Sequence, residues 1–419
     1  MITKRDFLKT AAVGTAVASA GAGGVLGTGA SQARAATTPP PALPSPISAE
    51  ERRGRIAKAQ ELMARQGLAG ILLEPGASML YFAGLSWWRS ERLVAVIIPA
   101  KGDMAIVAPA FEEPSIREQM ELDAEVRVWN EDESPFALVR GVLEDRGSSG
   151  PLGLEASVRY FVVDGLKRDM SKRETTSADG VVYGCRMIKS EHEIELLQAA
   201  NNITMAAYRD IYPRVEAGMV GADISTMMRE ATRKLGVEPT FASALVGEAS
   251  AYPHGSKKVF EVRDGQVILM DCGCNVHGYK SDISRTWVHG EPDAEQLRVW
   301  NTVREGQEIA LETAKVGIAA GKVDAAVRKH YESKGFGPGF QLPGLSHRLG
   351  HGIGMEVHEP INFVGNETMT LAPGMCLSNE PGIYLPGKFG VRHEDCVYIT
   401  EDGAQLFTGL TPSIDNPMG

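Results

Sequence analysis

The chain has 419 residues, 43 of them Lys or Arg and 53 Asp or Glu, for a formal net charge of -10, and 43% of its residues are hydrophobic. Such a length is long for one domain and natural for two. The acidic balance excludes a protein built to hold nucleic acid, and five cysteines, an odd count, exclude a complete disulfide framework.

The chain opens with "TKRDFLK", continues through an Ala/Gly-rich, moderately apolar run and reaches "ARA" at 33–35. A run so short and glycine-rich makes a poor transmembrane helix. The pattern resembles a twin-arginine export signal in which Lys4 stands in place of the first arginine. Residues 1–35 are therefore expected to be a signal cleaved after Ala35. Their loss removes Lys4, Arg5, Lys9 and Arg34 together with Asp6, which takes the formal charge from -10 to -13. The mature protein is expected to be exported, periplasmic in a Gram-negative source, and free of the membrane. Residues 36–47, with "TTPPPALPSP", read as a Pro-rich linker.

Residues 48–180 carry their own α/β pattern. Ser48 and Glu51 form a capping box for a helix running to about 66, and "GILLE" and "RLVAVIIPA" read as buried strands. A link near 181–189 leads into a second domain at 185–412.

The second domain uses one layout twice, without a residue-level repeat. Helical patterns at about 190–212, with Ser190 as N-cap, and about 222–235, ending at Gly236, precede "QVILMDCGCNVHGYKSDISRT". A hairpin centred on "NVHG" sets Asp271 opposite Asp282. Helical patterns near 294–315 and 322–334, ending at Gly335, precede "MCLSNEPGIYLPGKFGVRHEDCVYIT", in which Glu380 and Glu394 are equidistant from Gly387. Like charges opposed across paired strands are destabilising, and two carboxylates sharing a site must hold a proton or flank a cation. A pseudo-twofold arrangement brings the two acidic hairpins together and makes one site from four carboxylates. Arg392, two residues from Glu394, shares its strand face. Cys272 and Cys274 alternate with Asp271 and so belong to the other face, as core. The sequence leaves open whether Cys376 and Cys396 pair.

Between the second helix pair and the second hairpin lies "LSHRLGHGIGMEVHEP", with His347, His351 and His358. Glycines on both sides of His351 allow close backbone approach, which suits a ligand-bearing loop. Asp271, Asp282, His351, Glu380 and Glu394 then make a five-ligand set, enough for two divalent ions if two carboxylates bridge.

The motifs "MDCG", "YKSDISRT", "GHGIG", "NEPGIY" and "GVRHED" carry these five residues in order. Together they resemble the pita-bread metallopeptidases, the family of methionine aminopeptidase, aminopeptidase P and prolidase, over roughly residues 185–410. The resemblance implies an α/β (α+β) chain with a C-terminal pita-bread fold of pseudo-twofold symmetry. It also implies substrate or oxyanion contacts for His254 in "AYPHG" and His358 in "VHEP", and a supporting role for Arg392. His393 stands where an aliphatic residue is common and should point away from the metals. With "YFAG" at 81–84, residues 48–180 resemble the N-terminal domain of creatinase, aminopeptidase P and prolidase, which methionine aminopeptidase lacks. Creatinase lacks the metal ligands, so the complete set argues against it.

The expected chemistry is dinuclear-metal-dependent hydrolysis of the N-terminal Xaa-Pro bond in short proline-containing peptides. Asp282 and Glu394 bridge two ions, Asp271 completes one and His351 with Glu380 the other, and Glu380 also shuttles a proton. Carboxylate-rich ligation without thiolate suits Mn²⁺ at least as well as Co²⁺ or Zn²⁺. The alternatives are a non-peptide C–N hydrolase or lyase on the same scaffold, and a metal-free binding module. The resemblance further implies a homodimer. Trp87 and Trp88, after "YFAGLS", are either a wall of the proline pocket or packing within the N-terminal domain.

Overall fold

The computed structural model describes residues 42–419. The expected export signal and residues 36–41 lie outside the described residues. The N-terminal half contains α1 (Ala49–Gln66), β1 (Gly70–Leu73), α2 (Ala77–Ala83), β2 (Ala95–Pro99), β3 (Ala105–Pro109), α3 (Glu113–Gln119), β4 (Glu125–Trp129), α4 (Pro135–Asp145), β5 (Leu152–Leu154), α5 (Tyr160–Asp169), β6 (Thr175–Ser177) and α6 (Asp179–Arg186). Its six strands form one mixed sheet in the order β4-β3-β2-β1-β5-β6. The strands β1, β2, β3 and β5 are buried along their whole length. That burial explains their unbroken apolar runs, since a strand covered on both faces shows no alternation. At the head of α1, Ser48 Oγ accepts from Glu51 N at 3.2 Å while Glu51 Oε2 accepts from Ser48 N at 2.8 Å, the reciprocal cap read from the sequence.

The C-terminal half contains α7 (Glu191–Ile211), α8 (Gly221–Lys234), β7 (Glu238–Val246), β8 (Gln266–Val276), β9 (Tyr279–Lys280), β10 (Ile283–His289), α9 (Ala294–Thr313), α10 (Ala320–Ser333), β11 (Gly350–Gly352), β12 (Glu359–Phe363), β13 (Cys376–Asn379), β14 (Gly382–Leu385), β15 (Phe389–Arg392), β16 (Asp395–Thr400) and β17 (Gly403–Leu406). One sheet runs β10-β8-β7 with β9 on β8, the other β12-β11-β13-β16-β17, and β14-β15 is a separate ribbon. Each sheet follows a helix pair, as the repeated layout requires. The halves meet where Ser284 and Glu394 exchange backbone hydrogen bonds of 3.3 and 3.1 Å, which carries two acidic hairpins to one place.

The first hairpin differs from the expected register. It pairs Cys272 with Ile283 and Val276 with Tyr279, so Asp271 faces Ser284 rather than Asp282. The turn is His277-Gly278, with φ of 48° and 101°, the paired positive φ of a tight hairpin turn. A slip of two keeps every side chain on its face, so the two aspartates still share one side of the sheet. The second hairpin has the expected register, with Gly382 opposite Arg392 and Asn379 opposite Asp395.

The expected link at 181–189 begins inside a helix, α6, whose Arg186 is buried and is followed by the buried Lys189. One apolar cluster runs from Met63 and Phe82 through Leu196 and Ile203 to Val276 and Cys376, so the halves share a core. Within the Pro-rich segment, Ile47 is buried and Leu43 packs on the same cluster. All five cysteines are buried and free. No helix among the described residues is long and apolar enough to cross a membrane.

Candidate metal centre

One strand and three gaps between strands aim carboxylates into one cavity of about 660 Å³. Asp271 comes from β8, Asp282 from the gap between β9 and β10, and Glu380 and Glu394 from the paired gaps between the ribbon β14-β15 and the strands β13 and β16. His351 lies on β11, its backbone N–H donating to Ser378 Oγ at 3.0 Å and its Nδ1 3.0 Å from Gly352 O. That second contact turns Nε2 inward, 3.2 Å from Glu380 Oε1 and 3.5 Å from Asp282 Oδ2. Ligand atoms of Asp282, His351 and Glu394 all lie within 4.8 Å of one another. All eight residues singled out from the sequence, including His254, His358 and Arg392, line this cavity.

The electrostatics follow from crowding. Burial, then the neighbouring carboxylates, holds Asp282 and Glu394 well above the usual carboxylate range. Burial opposes ionisation of Glu380 too, but the hydrogen bond and charge of His351 win and draw it down to about 2. Arg392 is fully enclosed: its Nη2 donates to Asp271 Oδ2 at 2.7 Å, its Nε to Ser284 Oγ at 2.9 Å, and its Nη1 to Pro253 O and Tyr384 Oη at 3.2 Å each. Ser284 Oγ in turn donates to Glu394 Oε2 at 2.7 Å. One arginine cannot neutralise four carboxylates, and Asp271 Oδ1 is buried with no hydrogen-bond partner. A buried anionic oxygen without a donor, beside an inward-facing imidazole nitrogen and three more carboxylates, fits a divalent cation. No thiolate is present, since Cys272 and Cys274 are core residues on the other face.

His358 stands edge-on to His351 with ring centroids 4.3 Å apart, and burial lowers its pKa to about 4, so it is neutral near pH 7. His254 is exposed at the rim, on a loop tied back through Pro253 O to Arg392. His393 turns away, its ring 4.5 Å from that of Trp300. Trp87 and Trp88 stack on each other at 4.4 Å and line no part of the cavity.

Sequence reasoning left three neighbours without a role. His347 lines the cavity and lies 2.9 Å from Tyr384 Oη, Ser284 links Arg392 to Glu394, and Arg348 enters the cavity while donating to Asn362 Oδ1 at 2.8 Å. For His347 a signal existed, since it precedes His351 by one helical turn's spacing in a histidine-rich segment. Ser284 and Arg348 carried none, because their roles depend on what lies opposite them in the fold.

Fold and site together define a two-domain metallohydrolase. Residues 195–401 match the model of metallopeptidase family M24, and residues 55–188 match the creatinase/prolidase N-terminal domain. Among similar proteins is the probable dipeptidase PepE of Mycobacterium tuberculosis, 33% identical over 362 residues that span 85% of this chain and 94% of that protein. Another is the Xaa-Pro dipeptidase of Pyrococcus furiosus, 30% identical over 84% of this chain and 97% of that one. The crystal structure of dipeptidase PepE from Mycobacterium ulcerans superposes with a TM-score of 0.80 at 28% identity, covering 87% and 97% of the two chains. The chain belongs to metallopeptidase family M24. It is a metallopeptidase with the pita-bread catalytic fold, and its family implies divalent cations.

Proposed function

We propose that the protein hydrolyses the bond between an N-terminal residue and a following proline in short peptides, using two divalent ions held by Asp271, Asp282, His351, Glu380 and Glu394. The observation that carries this reading is the convergence of those five side chains, with three histidines, on one cavity. The names of similar proteins, Xaa-Pro dipeptidase among them, support the proline preference. Bound divalent ions lower the pKa of water and polarise the scissile carbonyl, and Mn²⁺ suits this oxygen-rich donor set.

The chain's own residues supply the rest. Glu380, ionised, takes the proton of the attacking water at Oε2 and passes it to the proline nitrogen as the C–N bond breaks. Neutral His358 donates to the developing oxyanion, and His254 at the rim meets the substrate backbone. A bond before proline is a tertiary amide with no N–H, so its pocket must fit the ring instead of offering an acceptor.

Arg348 favours dipeptides over longer substrates. It lines the cavity and belongs to no ion pair among the described residues, leaving a guanidinium edge for a C-terminal carboxylate. A homodimer is part of the same reading, since Trp88, 58% exposed, is stacked outside its own chain's cavity and would be covered by a second copy. The deciding experiment is a metal-reconstituted assay on Ala-Pro, Ala-Pro-Ala, Ala-Ala and Ala-Ala-Ala. Ala-Pro should be cut fastest and the proline-free peptides hardly at all. Equal rates on Ala-Ala-Ala and Ala-Pro-Ala would refute proline specificity, and Arg348→Met should raise KM for Ala-Pro far more than it lowers kcat.

A further inference from the structure

The segment from Gly352 to Glu359 joins the metal-site histidine His351 to His358, and no hydrogen bond among the described residues holds the His358 ring. Its place is set by backbone. Glu359 organises that backbone: its Oε1 accepts from Met355 N at 2.9 Å and from Glu356 N at 3.2 Å, folding the segment around one buried carboxylate. The same carboxylate receives Arg186 Nη2 at 2.5 Å and Lys189 Nζ at 3.0 Å. Arg186 also donates to Glu356 Oε2 at 2.9 Å and, through Nη1, to Ser78 Oγ on α2 at 2.8 Å. Ser78 itself hydrogen-bonds Glu155, beyond β5. A continuous buried path therefore runs from the N-terminal domain through Arg186 to Glu359, the chain neighbour of the more exposed His358.

Such a network is not explained by stability alone. Buried ion pairs return little net stability after desolvation, and their best-attested use is to fix one geometry. Close packing adds to the constraint, since a Cβ at Gly354 would stand 2.7 Å from the Glu359 carboxylate oxygens.

We propose that Arg186 is a positioning residue for peptide hydrolysis: by clamping Glu359 it fixes segment 352–359 and so sets His358 over the site, coupling docking of the N-terminal domain to turnover. This rests on the role given to His358 above. Arg186→Met should lower kcat roughly 10- to 100-fold, the range for partners that orient site residues, with KM and metal content close to wild type. Arg186→Lys should recover most of that loss.

The discriminating measurement is a double-mutant cycle with His358→Ala. If Arg186 acts through His358, Arg186→Met in the His358→Ala background changes kcat by less than about twofold, within the error of such cycles. Loss by the same factor in both backgrounds overturns the proposal. Should Arg186→Met fail to fold, Ser78→Ala, which removes the hydrogen bonds from Arg186 and to Glu155, decides by the same cycle. Hydrogen exchange supplies a readout independent of substrate: amides 353–359 should exchange faster in either variant while those of β8 and β16 do not change, and uniform acceleration overturns the clamp. A wild-type enzyme that cut no peptide would sink the functional reading and leave exchange to judge the clamp.

Discussion

At the scale of single residues, the behaviour of each side chain in the site depends on its neighbours. His358 is neutral near pH 7, with burial drawing its pKa to about 4, and it takes no part in the tight cluster of Asp282, His351 and Glu394. His358→Ala should therefore leave metal content full while lowering kcat by about 10²- to 10³-fold, the scale for one oxyanion donor. Metal analysis alongside kinetics checks this, and loss of metal would make His358 a ligand or a ligand's support. Linkage gives a second test. Asp282 and Glu394 titrate well above the usual carboxylate range in the metal-free fold. From about pH 4 upward the folded state then holds protons that the unfolded state has lost, so metal-free stability falls as pH rises toward those raised values. Glu380 has the opposite sign, since its pKa of about 2 adds stability that is lost only as pH falls from 4.5 toward 2. Thermal melting from pH 5 to 8 should show the metal-free protein weakening while the gain from saturating Mn²⁺ grows, as cations replace the protons. A metal-induced gain independent of pH would mean the carboxylates are not the ligands.

Elements were legible where local chemistry marks them. Ser48, Ser190 and Asp293 each start a helix with a reciprocal cap from the residue three positions on, and Gly67 ends α1 in the left-handed region at φ 68°. These signals are contained within four residues and survive any tertiary context. Register is not local. "NVHG" marks the turn, but whether its centre falls at Val276-His277 or at His277-Gly278 depends on what the tip meets, here Met355 and Leu80. The site could still be read because a shift of two preserves the face of both aspartates. Gly278 carries the cost of this choice. Its φ is 101°, and an added Cβ would stand 2.7 Å from Met355 Cε and 3.3 Å from Leu80 Cδ2. Gly278→Ala should destabilise by about 1–2 kcal/mol from the disfavoured backbone alone, read from urea unfolding. An unchanged midpoint would show that the turn relaxes to another conformation.

For the whole molecule, the doubled helix, helix, hairpin order could be seen in the sequence because each copy has its own caps and turn glycines. The way the halves lock could not. Arg186 and Lys189 lie far from Glu359 in the chain, and Arg55, Glu193 and Tyr279 make a second buried junction, with Arg55 Nη2 donating to Tyr279 Oη at 2.8 Å and Tyr279 Oη donating to Glu193 Oε1 at 2.7 Å. A charged residue in a helical pattern reads as surface until its partner is known, so residues 181–189 looked like a link. The tryptophan pair kept two roles open for a related reason: adjacency to "YFAG" places it in the N-terminal domain but says nothing about which cavity it borders, and the structure keeps it off the metal-site cavity.

The same whole-molecule view bears on processing, for which we propose export of an already folded chain. Three contacts lie beyond the expected cleavage point: Leu43 packs on the shared core, Ser45 O lies 2.9 Å from His192 Nε2, and Ile47 is buried. Cleavage after Ala35 therefore leaves every one of them intact. The five cysteines are buried as free thiols, and burial raises Cys272 and Cys376 to about 12, so none is primed to form a disulfide in an oxidising compartment. A fold without disulfides gains nothing from folding after export, whereas folding first lets the chain take up its metal ions in the cytoplasm, which is what a twin-arginine route permits. The exported protein should begin at Ala36, contain bound metal on isolation and show five reactive thiols only after denaturation. N-terminal sequencing, metal analysis and thiol titration of the extracytoplasmic fraction read all three. Recovery of Met1 as the terminus would reject the signal, and fewer than five thiols would show that the cysteines pair outside the cytoplasm.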